Sequence, residues 1–135
     1  MIYLLDTNTI SDMIMNHPNV IQQVENHLIN RDRMAICQPV YYELMRGLIR
    51  THSEKKMSIL RDKLIPKFEW IRLQDDDWLQ AAQLWTAAMR IGRQLSDMDF
   101  LLAALAHRLN AVVVSSDADF DALPIQRENW RDSTP

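Results

Sequence analysis

Four short apolar runs punctuate the chain: Ile2–Leu5, Met34–Cys37, Phe68–Leu73 and Ala111–Val114. The first contains no alternation of apolar and polar residues, which predicts a strand covered on both faces, and the other three are similar. Between them the apolar residues recur at helical spacing. Val20, Ile21, Val24 and Leu28 share one face, with Pro18 at an early helical position. Val40, Leu44, Leu48 and Ile49 repeat after Pro39, and Met57, Leu60 and Leu64 follow Ser53 and stop at Pro66. Trp78, Ala81, Ala82, Trp85 and Met89 form a stripe behind Asp75-Asp76-Asp77, whose charges suit a helix N-terminus, and Gly92 closes it. On that phase Trp78 and Trp85 are core side chains rather than a platform for stacked bases. Phe100–Leu109 is almost wholly apolar or alanine and predicts a buried helix.

Short buried strands alternating with helices predict an α/β fold: a central parallel sheet with helices on both faces. In such sheets ligands gather beyond the carboxyl ends of the strands, where the strand order reverses. The 135 residues fit a single domain over 1–135, large enough to bury about 68% of its unfolded surface. With 47% hydrophobic and 24% charged residues the chain is globular rather than disordered. Its only glycines, Gly47 and Gly92, exclude a Walker A loop and a G-x-G-x-x-G dinucleotide loop. A single cysteine, Cys37, excludes an internal disulfide and a multi-cysteine zinc module. The net charge of −3 argues against a groove that coats nucleic acid by basic charge alone. No run approaches the ~20 apolar residues of a membrane span. Asp6 interrupts the first apolar run and no basic segment precedes it, so a cytoplasmic protein without signal peptide or membrane partner is expected.

The chemistry points to carboxylates. Asp6 stands at the tip of the first strand, in Leu-Leu-Asp-Thr-Asn, and Asp117 at the tip of another, in Val-Val-Val-Ser-Ser-Asp. Glu43 lies one turn into a helix, and Asp99 opens the most apolar helix. If these ends meet at one rim of the sheet, the four charges crowd one another unless a divalent cation neutralises them. Oxygen-only donors favour Mg²⁺ or Mn²⁺ over zinc, and such ions activate water for attack on a phosphodiester.

Each acid also has a plainer role open to it. Asp6 and Asp117 can cap a helix or turn, Glu43 can be a solvated helix residue, and Ser96-x-x-Asp99 has the capping-box pattern. Asp97 competes with Asp99, but two residues turn a helix by ~200°, so the two cannot face one centre. Asp99 is preferred because it directly precedes the apolar face. The spacing of Asp117, Asp119, Asp121 and Glu128 imitates a calcium loop, yet Ala122 replaces the required glycine and Pro124 interrupts it. Calcium sensing is therefore rejected. His17, His27, His52 and His107 include no H-x-x-x-H pair, and no G-x-S-x-G elbow is present.

Leu-Leu-Asp-Thr-Asn, Tyr-Glu-Leu around residue 43, Ser-Asp-Met-Asp-Phe-Leu-Leu-Ala-Ala-Leu-Ala around 99 and Val-Val-Val-Ser-Ser-Asp together resemble the PIN-domain nucleases, and more narrowly the VapC-type toxins of type II toxin–antitoxin pairs. A closing Arg-Glu-Asn-Trp resembles the short tail such toxins carry. The resemblance implies a PIN-like three-layer α/β/α domain with a parallel sheet of about four or five strands. It implies a Mg²⁺- or Mn²⁺-dependent endoribonuclease with Asp6 and Asp99 as principal metal-site acids. Glu43 and Asp117 would complete the site, and Thr7, Asn8 and Ser115 match small polar positions beside it. It also implies a homodimer, a VapB-type antitoxin covering the acidic cleft, and RNA, tRNA among the targets. Around the acids, basic groups must attract RNA; Arg46, Arg50 and Arg93 are candidates, with Lys55, Lys56 and Arg90 behind them. The reading from another class is a non-catalytic PIN-like module that binds RNA or protein without cutting.

Overall fold

The computed structural model describes residues 1–132. Ile2–Leu5 forms β1, Arg33–Cys37 β2, Glu69–Ile71 β3, Val112–Val114 β4 and Gln126–Glu128 β5. All pair in parallel in the order β3-β2-β1-β4-β5, with Leu4 opposite both Ala35 and Val113. The helices are α1 (Thr7–Ile14), α2 (Pro18–Ile29), α3 (Gln38–Arg50), α4 (Glu54–Ser58), α5 (Asp75–Arg90) and α6 (Asp97–Leu109). They flank the central sheet as an α/β/α arrangement, as the sequence pattern predicted.

The chain builds outward from β1 to β2 and β3, then crosses back to place β4 on the other side of β1. The strand order therefore reverses between β1 and β4, which is where such a sheet opens a crevice at its carboxyl edge. The two strands stay locked past their ends, because the Asp6 N–H donates to the Val114 carbonyl at 3.0 Å and Thr9 Oγ1 donates to the same oxygen at 2.8 Å. Leu4, Leu5, Ala35, Ile36, Val113 and Val114 are completely buried, consistent with strands covered on both faces. Phe100 through Ala106 are all buried, so α6 is enclosed nearly all round, against α5 and α3 and the β1–β4 pair. A left-handed Asn110 (φ 51°) ends that helix and turns the chain straight into β4.

Three expectations need correction. Trp78 and Trp85 are 57% and 47% exposed, not core. The seam that α5 buries is Asp77, Ala81, Leu84 and Ala88, one position, or ~100°, round from the tryptophan stripe. Asp77 sets this phase. Its Oδ1 and Oδ2 accept from Arg108 Nε and Nη2 of α6 at 2.8 and 3.1 Å, and its Oδ2 also accepts from the Gln74 N–H at 2.8 Å. A carboxylate so paired can enter the helix interface, and the indoles are rotated outward. Second, β3 is not covered on both faces: it is an edge strand with Glu69 and Trp70 exposed. Third, Leu28 and Ile49 are exposed, leaving Val20 and Val24 as the buried face of α2 and Val40 and Leu44 as that of α3.

Candidate active site

The carboxyl edge of the sheet gathers the predicted acids from four separate places in the sequence. Asp6, Glu43, Asp99 and Asp117 line one cleft of about 500 Å³, together with Thr7, Asn8, Ser11, Ser96 and Arg131. Asp6 follows β1 and caps α1, Glu43 projects from the middle of α3, Asp99 stands in the first turn of α6, and Asp117 follows β4. Asp97 lines a different groove, beside Trp78 and Trp85, as the helix geometry required.

The plainer roles turn out to be how the acids are held. Asp6 Oδ1 accepts from the Thr7 N–H at 2.8 Å, and Asp117 Oδ1 accepts from the Asp119 N–H at 2.9 Å. Asp99 closes a capping box with Ser96: the Ser96 N–H donates to Asp99 Oδ2 at 3.3 Å and the Asp99 N–H donates to Ser96 Oγ at 3.2 Å. Helix starts carry partial positive charge, so three of the four acids sit where the backbone favours an anion. Each of these capping bonds occupies one carboxylate oxygen of Asp6, Asp99 or Asp117.

Ser115 organises the centre. Completely buried, it donates from Oγ to Asp6 Oδ2 at 2.7 Å and accepts from Asn8 Nδ2 and the Asp117 N–H, both at 3.0 Å. Asn8 Oδ1 accepts from the Ser116 N–H at 3.0 Å, which ties α1 to the turn after β4. Thr7 Oγ1 donates to Glu43 Oε1 at 2.5 Å, tying α1 to α3. Thr7, Asn8 and Ser115 thus stand among the acids and aim them.

Among the described residues no lysine or arginine is paired with Asp6, Asp99 or Asp117. Burial raises the Asp6 pKa, the Ser115 and Thr7 hydrogen bonds hold it down, and Glu43 and Asp117 push it up again. Asp99 is raised to about 6, first by burial and then by Asp6 and Asp117, against the Ser96 bonds. The four acids therefore share one electrostatic field with Asp6 at its hub. Its donors are all oxygen, the set that hard divalent cations take. Among the described residues no three His, Cys, Asp or Glu side chains already enclose an ion. The carboxylates form the walls of a cleft rather than a closed cage. In donor chemistry and charge the site fits a divalent cation.

The basic candidates fare differently. Arg46 lies 3.7 Å from Glu43 Oε2 and its guanidinium sits over the Tyr42 ring at 5.2 Å, at the rim. Arg50 and Arg93 are exposed and, like Lys55, Lys56 and Arg90, are not among the residues lining the cleft. Ser11 and Arg131 were missed. Ser11 shares the face of Thr7 one turn along α1, a spacing that could have found it; Arg131 has no local signal. In the segment whose spacing imitates a calcium loop, Ala118–Ala122 is a short 3₁₀ helix and Asp121 is paired to Arg127 at 2.9 and 3.0 Å.

A parallel α/β sheet with an acidic cleft at its switch point defines the class, and known proteins narrow it. The PIN domain family matches residues 3–126, so the chain belongs to the PIN domain family. Ribonuclease VapC1 of Haemophilus influenzae is 24% identical over 132 residues, covering 96% of this chain and 98% of the relative. Ribonuclease VapC11 of Mycobacterium tuberculosis is 31% identical over 93 residues, 67% of this chain and 66% of the relative. Among solved structures, VapBC2 from Rickettsia felis bound to a DNA fragment from its promoter superposes with a TM-score of 0.87 at 28% identity, covering 96% of this chain and 99% of that one.

Proposed function

We propose that this chain is the toxin of a type II toxin–antitoxin pair: an endoribonuclease held in check by a VapB-type antitoxin. The observation that carries the reading is the convergence of Asp6, Glu43, Asp99 and Asp117 on one cleft, at the switch point of a PIN domain fold. Relatives named as VapC ribonucleases, one of them similar over nearly the whole chain, support the activity, and the VapBC2 structure supports the partner.

The finer chemistry follows from the donor set. Asp6 and Asp99 would hold a Mg²⁺ or Mn²⁺ ion, with Glu43 and Asp117 completing the site directly or through water. Such an ion supplies the positive charge that favours the attacking and leaving oxygens of an in-line phosphodiester displacement. The chain's own work is positioning. Ser115 and Asn8 fix the Asp6 carboxylate, Thr7 fixes Glu43, and the capping bonds fix Asp99 and Asp117. tRNA is the proposed substrate class, and a homodimer the proposed assembly.

The test is cleavage of total cellular RNA with Mg²⁺ or Mn²⁺, and with EDTA. The expected result is discrete fragments from the wild-type chain with either ion. With EDTA, or with Asp6→Asn or Asp99→Asn, cleavage should fall on the order of 10³-fold while circular dichroism stays native. Full activity in both variants would refute the assignment. Binding of RNA with no cleavage under any condition would favour the non-catalytic module.

A further inference from the structure

The tail beyond β5 carries an arginine to the acidic cleft and holds it there. Trp130 is buried, its ring stacked on His27 with centroids 4.8 Å apart and tilted against Tyr3 at 5.7 Å, and its Nε1 donates to Glu128 Oε1 at 3.0 Å. The next residue is fixed at both backbone ends. Arg131 N–H donates to Asn129 Oδ1 at 3.0 Å, and its carbonyl accepts from Asn19 Nδ2 at 2.6 Å. Its side chain then reaches α1, where Nε and Nη2 donate to Asp12 Oδ2 and Oδ1 at 2.6 and 3.0 Å. Among the described residues that line the cleft, Arg131 is the only cation.

The fork of an arginine has five N–H donors, and Asp12 engages two of them. A carboxylate outside the acidic centre thus anchors the guanidinium beside the four acids and keeps it from pairing with them. Planar, permanently charged and already oriented, the group suits the paired oxygens of a phosphate. An anionic chain that acts on RNA needs such a contact next to its acids, because their field repels the substrate backbone.

We propose that Arg131 is a substrate-positioning residue that grips an RNA backbone phosphate at the edge of the acidic cleft, with Asp12 as its anchor. The proposal rests on the ribonuclease reading above and adds to it the group that seats the substrate.

Two measurements test it. In steady-state cleavage of bulk tRNA, Arg131→Gln raises KM about tenfold, the loss of one charge-assisted contact, and changes kcat by less than about twofold. In binding of bulk tRNA to the Asp99→Asn chain, adding Arg131→Gln lowers the slope of log affinity against log salt by about 0.7–0.9, one phosphate contact. Arg131→Lys keeps that slope but still raises KM severalfold, since it retains the charge and loses the fork. If Arg131→Gln does not fold, the KM of Arg131→Lys decides. Unchanged KM and unchanged salt slope, with or without a lower melting temperature, would reduce Arg131 to a structural strap and overturn the proposal. In that case wild-type cleavage would leave the ribonuclease reading standing. A wild-type chain that cuts no RNA would sink that reading, while the binding slope would still report on Arg131 by itself.

Discussion

Two aspartates are almost equally hidden, Asp77 at 1% exposure and Asp6 at 7%, and the fold treats them in opposite ways. Asp77 meets a guanidinium head-on: Arg108 gives it two bonds and also donates to the Arg72 carbonyl at 3.3 Å, clamping α6 against α5 and the segment before it. Asp6 receives only neutral donors, from Ser115, Asn8 and the Thr7 backbone, and faces Glu43 and Asp117. One carboxylate is neutralised by the chain itself and serves cohesion. The other is oriented but left uncompensated, which costs stability and is sensible only where an external cation or substrate completes the charge balance.

The largest effect belongs to the clamp. Arg108→Leu strands a buried carboxylate and should cost about 3–5 kcal/mol of stability in chemical denaturation. RNA cleavage per folded molecule should stay near wild type, because neither Asp77 nor Arg108 lines the cleft. A comparable loss of cleavage in the folded fraction would mean that the two regions are coupled.

Next comes Ser115→Ala. It removes one donor from Asp6 and leaves the Asn8 amide and the Asp117 N–H short of an acceptor, at about 1–3 kcal/mol. Losing a bond that lowers the Asp6 pKa should also move the acid limb of the pH–activity profile to higher pH. A variant that loses stability with an unmoved profile would assign Ser115 to packing alone.

The smallest change, and the one of opposite sign, is Asp99→Asn. Asp99 has its pKa raised from the ordinary 3.8 to about 6, so between those values the folded chain binds more protons than the unfolded one. Its favourable contribution is complete below about pH 4 and lost as pH rises through about 6. Solvent screening of this half-exposed group holds that contribution to about 1 kcal/mol. The asparagine variant should therefore melt a few degrees higher than wild type at pH 7 and no higher at pH 4. Equal melting temperatures at pH 7 would show that the acids do not strain the fold.

The sequence revealed the site more fully than it revealed the packing, and particular residues show why. Asp6 and Asp117 were found because a strand tip at the switch point of a parallel sheet is a position set by chain order alone. Glu43 and Asp99 were singled out as an acid one turn into a partly apolar helix and an acid at the mouth of the most apolar one, ordinary features taken alone, and the family resemblance then added their roles. The phase of α5 was misread because an aspartate in a first turn reads as an N-terminal charge. Its burial depends on Arg108, 31 residues away. β5 escaped notice because Gln126-Arg127-Glu128 has no apolar run; pairing with β4 makes it a strand. Arg131 was invisible because it reaches the cleft only through a tail folded against Tyr3 and His27 and a bond to an aspartate 119 residues earlier.

Thermal melting across a Mn²⁺ or Mg²⁺ titration at pH 7 decides whether a divalent cation completes this set of carboxylates. Saturating ion should stabilise the wild-type chain by about 2.7 kcal/mol at a hundred times its dissociation constant, and Asp6→Asn and Asp99→Asn should lose that gain. A wild-type melting curve indifferent to both ions, or an equal shift in the two variants, would show that these carboxylates hold no divalent cation.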